Sequence, residues 1–298
     1  MRTNQQSINI DARAFDLGPV EITVATQAGP RILGYSRTHG AQLFASLPDT
    51  VIRHADAGVF RFLGGHRLWR SPEVPASTYQ PDDSPVLITE DQAGFTVEGR
   101  ADPDGVVKTL SVSQRGPYTL VGHSLENRGM RDVLVAPWAI TQLVPGGTAV
   151  LPEQVEPADV DGVLPNRRLV VWPYTDLSSA EIEFAADSVE LHATDSETKT
   201  KIGLPNRRGW LAYSLGDELF IKWSALHDDD ARYPDFGASV QCYRDERFIE
   251  LETLGPLVVL DPGSSTVHSE VWQLLALGDR PLNDVLASLP NAPEGIDA

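Results

Sequence analysis

Arg247-Phe248-Ile249-Glu250-Leu251-Glu252-Thr253-Leu254 alternates apolar and polar residues from Ile249 onward. That period of two is the mark of a β-strand, with Glu250 and Glu252 on one face and Ile249 and Leu251 on the other. Two carboxylates close together on one surface resist simultaneous ionisation, which raises one pKa and sets an acid beside a base. A solvent-facing strand with both glutamates idle has the same pattern.

Comparable runs recur on either side: VEITVAT (20–26), GFTVEGR (94–100), KTLSVSQ (108–114), YTLVGHSLEN (118–127), RRLVVWPY (167–174) and ELFIKWSAL (218–226). Between them stand turn-forming pairs such as Gly29-Pro30, Gly116-Pro117, Gly146-Gly147 and Pro262-Gly263. Short strands at this spacing predict an all-β chain, a large antiparallel β-sandwich with many hairpins. The helical pattern is confined to the C-terminus, where Pro281 precedes Leu282, Val285, Leu286 and Leu289 at three- and four-residue intervals. With no repeat and no linker, residues 1–298 are expected to form a single domain, 290–298 being a flexible tail. The stretch from Pro152 to Arg168 lacks apolar periodicity and reads either as a loop over the mouth of a site or as a solvated excursion.

Forty-two acidic residues against 24 basic ones give a formal charge of −18, which repels polyanions and argues against nucleic acid and anionic membrane as partners. Cys242 is the only cysteine, so neither an intrachain disulfide nor a cysteine-based zinc site can form, and a packed thiol is expected. His227-Asp228-Asp229-Asp230 would attract a divalent cation, but consecutive residues cannot all point inward, and no metal site is assigned. No phosphate loop, dinucleotide fingerprint, nucleophile elbow or zinc-protease motif is present, and no cofactor is called for. The N-terminus lacks the apolar segment of a secretory signal and no run approaches a membrane span, so a cytoplasmic location is expected.

Gly64-Gly65-His66-Arg67-Leu68-Trp69 offers two glycines that could admit a ligand, then a donor, a cation and a stacking ring. If the strand alternates, His66 and Leu68 share one face and Arg67 and Trp69 the other. His66 is then either a site residue or a buried, hydrogen-bonded structural histidine. Among the aromatics, Trp138, Trp172, Trp210 and Tyr79 are candidate stacking platforms for a ligand, most large rings being expected in the core.

Several phrases occur in an order that resembles the galactose mutarotase-like (aldose 1-epimerase-related) superfamily, most closely a branch classed as a domain of unknown function. AGPRILGYSRTHGAQLF (28–44) resembles the first hairpin of that fold, FRFLGGHRLWRSPE (60–73) its Gly-Gly segment, and TYQPDDSPV (78–86) a phrase of the branch. HSLENRGMRDVLVAPWAITQLVPGG (123–147) is similar to the strand pair that carries N-x-G and then the general-acid histidine. FIELETLGPLVVLDPGSS (248–265) is similar to the late strand bearing the general-base glutamate.

The resemblance implies a sandwich that handles a sugar on a concave face, with Glu252 as base. It fails at the acid, because Ala136-Pro137-Trp138-Ala139-Ile140 holds no histidine. His66 is therefore assigned as the replacement acid, with Arg67, Trp69, Trp138 and Glu250 as substrate contacts. Lys201 and Asp235, in phrases that resemble the branch, are further candidates to bond sugar hydroxyls, the alternatives being a surface lysine and a turn aspartate. The implied activity is an aldose 1-epimerase-type isomerisation of a small-molecule sugar. A non-catalytic sugar-binding protein and a sugar lyase or hydrolase are the alternatives, and the oligomeric state is left open.

Overall fold

The computed structural model describes residues 10–38, 40–194, 196–227 and 232–293. Asp228, Asp229 and Asp230 of the acidic run, and residues 294–298 of the expected tail, lie outside the described residues. Among the described residues the alternating runs become antiparallel strands in an 11-stranded and a 10-stranded sheet. The chain has the all-β sandwich architecture that its period-two runs predict.

The 11-stranded sheet has Gly58–Ser71, Val133–Leu143, Ile249–Leu254, Val240–Arg244 and Thr200–Leu204 side by side at its centre. Register across this centre sets Ile140 opposite both Arg67 and Glu252, Glu252 opposite Gln241, and Tyr243 opposite both Glu250 and Lys201. Side chains alternate between faces, so one face of the sheet carries Ile32, Leu68, Ile202, Cys242, Ile249 and Leu251. These pack against Leu110, Val121, Leu211, Phe220 and Trp272 of the second sheet to form the core between the layers. Cys242 is fully buried there, and burial pushes its thiol pKa well up, as suits a packed rather than a reactive sulfur.

The other face of the 11-stranded sheet carries a second cluster built from Phe60, Phe62, Trp69, Trp138, Ile140 and Phe248. Phe62 and Arg67 differ by five positions and would point to opposite faces of an unbroken strand. Positive φ at Leu63, Gly64 and Gly65 breaks Gly58–Ser71 in two. Its first half pairs mainly with Ser46–His54, its second with Val133–Leu143, and Phe62 and Arg67 arrive beside the same cavity. A Cβ on Gly64 would stand 1.8 Å from the Ala45 carbonyl oxygen, and one on Gly65 2.1 Å from that of Ile32. The two glycines thus admit neighbouring backbone, not a ligand as the sequence suggests.

The C-terminal helix spans Leu282–Ala287 and lays Val285 and Leu286 on Trp210, Trp223 and Ile221, covering the outer face of the 10-stranded sheet. Just beyond it, the Pro290 carbonyl accepts a bond from Trp223 Nε1 at 3.0 Å, so the described start of the expected tail is tied down. Among the described residues no helix is long and apolar enough to cross a membrane.

Candidate active site on the open face of the 11-stranded sheet

A cavity of about 540 Å³ lies on the face turned away from the second sheet. Its wall includes Arg67, Trp69, Trp138, Lys201 and Glu250, five of the residues singled out from sequence, together with Trp172 and Tyr79. Alternation explains the selection: Arg67 and Trp69 share a face, as do Glu250 and Glu252 on the strand two places across. Tyr174, Tyr243, Phe62 and Glu73 also contribute and were not anticipated as site residues. RRLVVWPY does carry the aromatics Trp172 and Tyr174, but the excursion that precedes them borders a different hollow, so Pro152 to Arg168 does not cover this mouth.

Arg67, Lys201 and Arg247 at the wall are each paired with a carboxylate. The Arg67 guanidinium stacks over Trp69 with its carbon 4.2 Å from the ring centre, and its Nη2 donates to Glu250 Oε1 at 3.0 Å. Arg67 Nε and Nη1 and Trp69 Nε1 are buried donors without a protein partner, leaving hydrogen-bonding capacity unspent. Gln142 Nε2 also donates to Glu250 Oε1, at 3.0 Å. Burial, with Glu252 adding its charge, outweighs the Arg67 attraction and raises the Glu250 carboxyl to about 7.

Glu252 has no exposed surface and is absent from the cavity wall. Trp138 Nε1 donates to its Oε2 at 2.7 Å and Lys201 Nζ at 2.9 Å, while Oε1 has no partner. Lys201 Nζ sits 4.8 Å from the ring centres of both Trp138 and Trp172, an ammonium between two indole faces. The sequence reading gives Glu252 the place of the base, yet the carboxylate that opens to the cavity is its neighbour Glu250.

His66 is the clear correction. It points into the core between the sheets, fully buried, with Nε2 2.7 Å from His123 Nε2 and Nδ1 2.9 Å from Thr141 Oγ1. Its partners fix a continuous donor sequence. Lys222 donates to Thr141 Oγ1 at 3.0 Å, Thr141 to His66 Nδ1, His66 Nε2–H to His123 Nε2, and His123 Nδ1–H to the His268 carbonyl at 2.9 Å. Lys222 is also 2.8 Å from Glu270 Oε1, whose other oxygen accepts Trp272 Nε1 at 2.7 Å. Burial holds the His66 pKa well below the ordinary value, so it is a neutral structural histidine and no donor to a cavity ligand. The strand parity already visible in the sequence is the reason.

His66, His123 and Glu270 bring metal-ligand atoms within 4.8 Å of one another. The Lys222 ammonium takes the position a cation would need beside Glu270, and both ring nitrogens of His66 and His123 are already bonded. That donor set suits a polar core, not a metal centre.

Asp235 lies in a turn at Pro234–Gly237 with positive φ and accepts Gln241 Nε2 at 2.7 Å. It does not line the cavity. Trp210 packs under the C-terminal helix on the other sheet and is no sugar platform.

No family model matches the sequence, and no curated protein matches it. Solved structures do match in shape. A protein of Escherichia coli K12 described as a candidate aldose 1-epimerase superposes with a TM-score of 0.59 at 11% identity, over 90% of this chain and 100% of that one. A galactose mutarotase-like protein from Lactobacillus casei gives 0.57 at 9% identity, over 89% and 100%. A candidate mutarotase from Salmonella typhimurium gives 0.57 at 10% identity, over 90% and 91%. The fold is the galactose mutarotase-like β-sandwich. Identities this low speak to the fold alone.

Proposed function

We propose that the protein is a carbohydrate isomerase of the aldose 1-epimerase type, acting on a sugar in the cavity formed around Arg67, Trp69, Trp138 and Glu250. The observation that carries this reading is a carboxyl near pKa 7, Glu250, at the wall of an aromatic-lined hollow whose buried donors are unspent. A pyranose presents C–H faces that suit indole rings and hydroxyls that suit Arg67 and the Trp69 N–H. Glu250 as a carboxylate takes the proton of the anomeric hydroxyl, for which a pKa near the working pH is the best compromise between ionised fraction and base strength. This moves the base role from Glu252 to Glu250. The solved structures of the same shape that are described as mutarotases or aldose 1-epimerases support the reading.

The absence of any histidine from the cavity wall among the described residues favours a second reading, a non-catalytic sugar-binding protein. The experiment that separates them follows freshly dissolved α-anomers of a panel of aldoses by NMR, with and without protein. Faster approach to the anomeric equilibrium is expected. Binding with an unchanged rate would assign the protein to carbohydrate binding, and release of a shorter product from an oligosaccharide would point to a lyase or hydrolase.

A further inference from the structure

Ring opening needs a proton on the ring oxygen as well as a base on the anomeric hydroxyl, and among the described residues the cavity wall holds no histidine or cysteine to supply it. Its other proton-bearing groups are poorly suited. Arg67 does not give up a proton. Burial pushes the hydroxyl pKa of Tyr79, Tyr174 and Tyr243 up, away from the neutral range. Lys199 is exposed at the rim, and Arg247 is held by Asp245 at 2.6 Å.

We infer that Lys201 is the proton donor of this site, with Glu252 as the positioning carboxylate that holds its ammonium in place. This rests on the epimerase reading and deepens it. Lys201 is 5% exposed and lies on the cavity wall. One N–H is committed to Glu252 Oε2, and among the described residues the Nζ makes no other hydrogen bond, which leaves donors for a ligand. Tyr243 stands opposite both Lys201 and Glu250 in the sheet, so those two are in one row on strands two apart. At a strand spacing of about 4.8 Å their Cα atoms are about 10 Å apart. Both are long side chains, so a pyranose ring placed between them can meet the ammonium at its ring oxygen and the carboxylate at its anomeric hydroxyl.

The step balances without any further reactant. Glu250 takes the anomeric hydroxyl proton, the O–H electrons form the C1=O bond, and the C1–O5 bond breaks as O5 takes a proton from Lys201. The open chain rotates about C1–C2 and presents the other carbonyl face. On reclosure, O5 returns its proton to the Lys201 amine and Glu250 returns its own to the carbonyl oxygen.

The test compares Lys201→Arg and Lys201→Ala with the unaltered protein in the anomer-equilibration assay. Lys201→Arg keeps the charge and a bond to Glu252 but cannot pass on a proton. Both variants are expected to lower kcat by about 10²-fold or more while KM changes far less. Added ethylammonium is expected to restore part of the Lys201→Ala rate, which a misfolded protein would not allow. Either variant within about threefold of the unaltered rate, or a Lys201→Ala protein that no primary ammonium rescues, overturns the inference. An unaltered protein that accelerates no sugar overturns the epimerase reading, and the role of Lys201 falls with it.

Discussion

Glu250 and Glu252 are two residues apart on one face of one strand, yet one lines the cavity and the other is sealed beneath Trp138 and Lys201. The shared face is legible in Ile249-Glu250-Leu251-Glu252. Which carboxylate meets a ligand is not, because Trp138 and Lys201 reach Glu252 from two other strands, far off in sequence. Since the base must be ionised, kcat/KM is expected to fall as pH drops below about 7, following the raised Glu250 carboxyl. A pH–rate profile measures this, and a flat profile from pH 6 to pH 8 would count against Glu250 as base. Away from the cavity, Lys222→Met strips the buried Glu270 of its nearest cation. That change is expected to cost about 3–5 kcal/mol in denaturant unfolding, and a loss below about 1 kcal/mol would show that the pair is dispensable. His66 was half legible: parity separates it from Arg67, but only the second sheet's His123 and Lys222 show what it binds instead.

At the scale of an element, the break in Gly58–Ser71 decides what the site contains, because it brings Phe62 to the cavity with Arg67. The strand runs themselves are readable from alternation. The break is not, since Gly-Gly alone does not say whether backbone or ligand fills the space it leaves. Gly64→Ala forces a Cβ against the Ala45 carbonyl at a φ of 89°. It is expected to destabilise the protein by about 2 kcal/mol or more, seen as a lower Tm. An unchanged Tm would mean that the break can relax without cost. The helix Leu282–Ala287 was legible for the opposite reason: its apolar spacing is local, and its burial on Trp210 and Trp223 follows from that one face.

Across the whole molecule, the two layers enclose a polar core in which His66, His123 and His268 are fully buried and held below the ordinary histidine pKa by burial, His268 at about 3. Such groups give stability that is intact above about pH 6.5 and is lost as pH falls, because the unfolded chain binds protons that the folded chain refuses. Glu250 acts in the opposite sense. Raised from 4.5 to about 7, its contribution is present at low pH and is lost as pH rises through that window. Below about pH 6.5 the three histidines, joined by the lowered Glu270 carboxyl, outweigh Glu250, so the unfolded chain binds more protons than the folded one and stability is expected to fall on acidification. Urea unfolding at pH 5, 6 and 7.5 checks this, and a midpoint that does not move would contradict it. None of this coupling shows in the sequence, where the three histidines are scattered over 200 residues and only the closed sandwich brings them together.

The most direct test of the site is the NMR rate of anomer equilibration with the unaltered protein and with Glu250→Gln, which keeps the side-chain shape and removes the base. The account predicts acceleration by the former and a loss of about 10²-fold or more in the latter with sugar binding retained; undiminished acceleration in Glu250→Gln would contradict it.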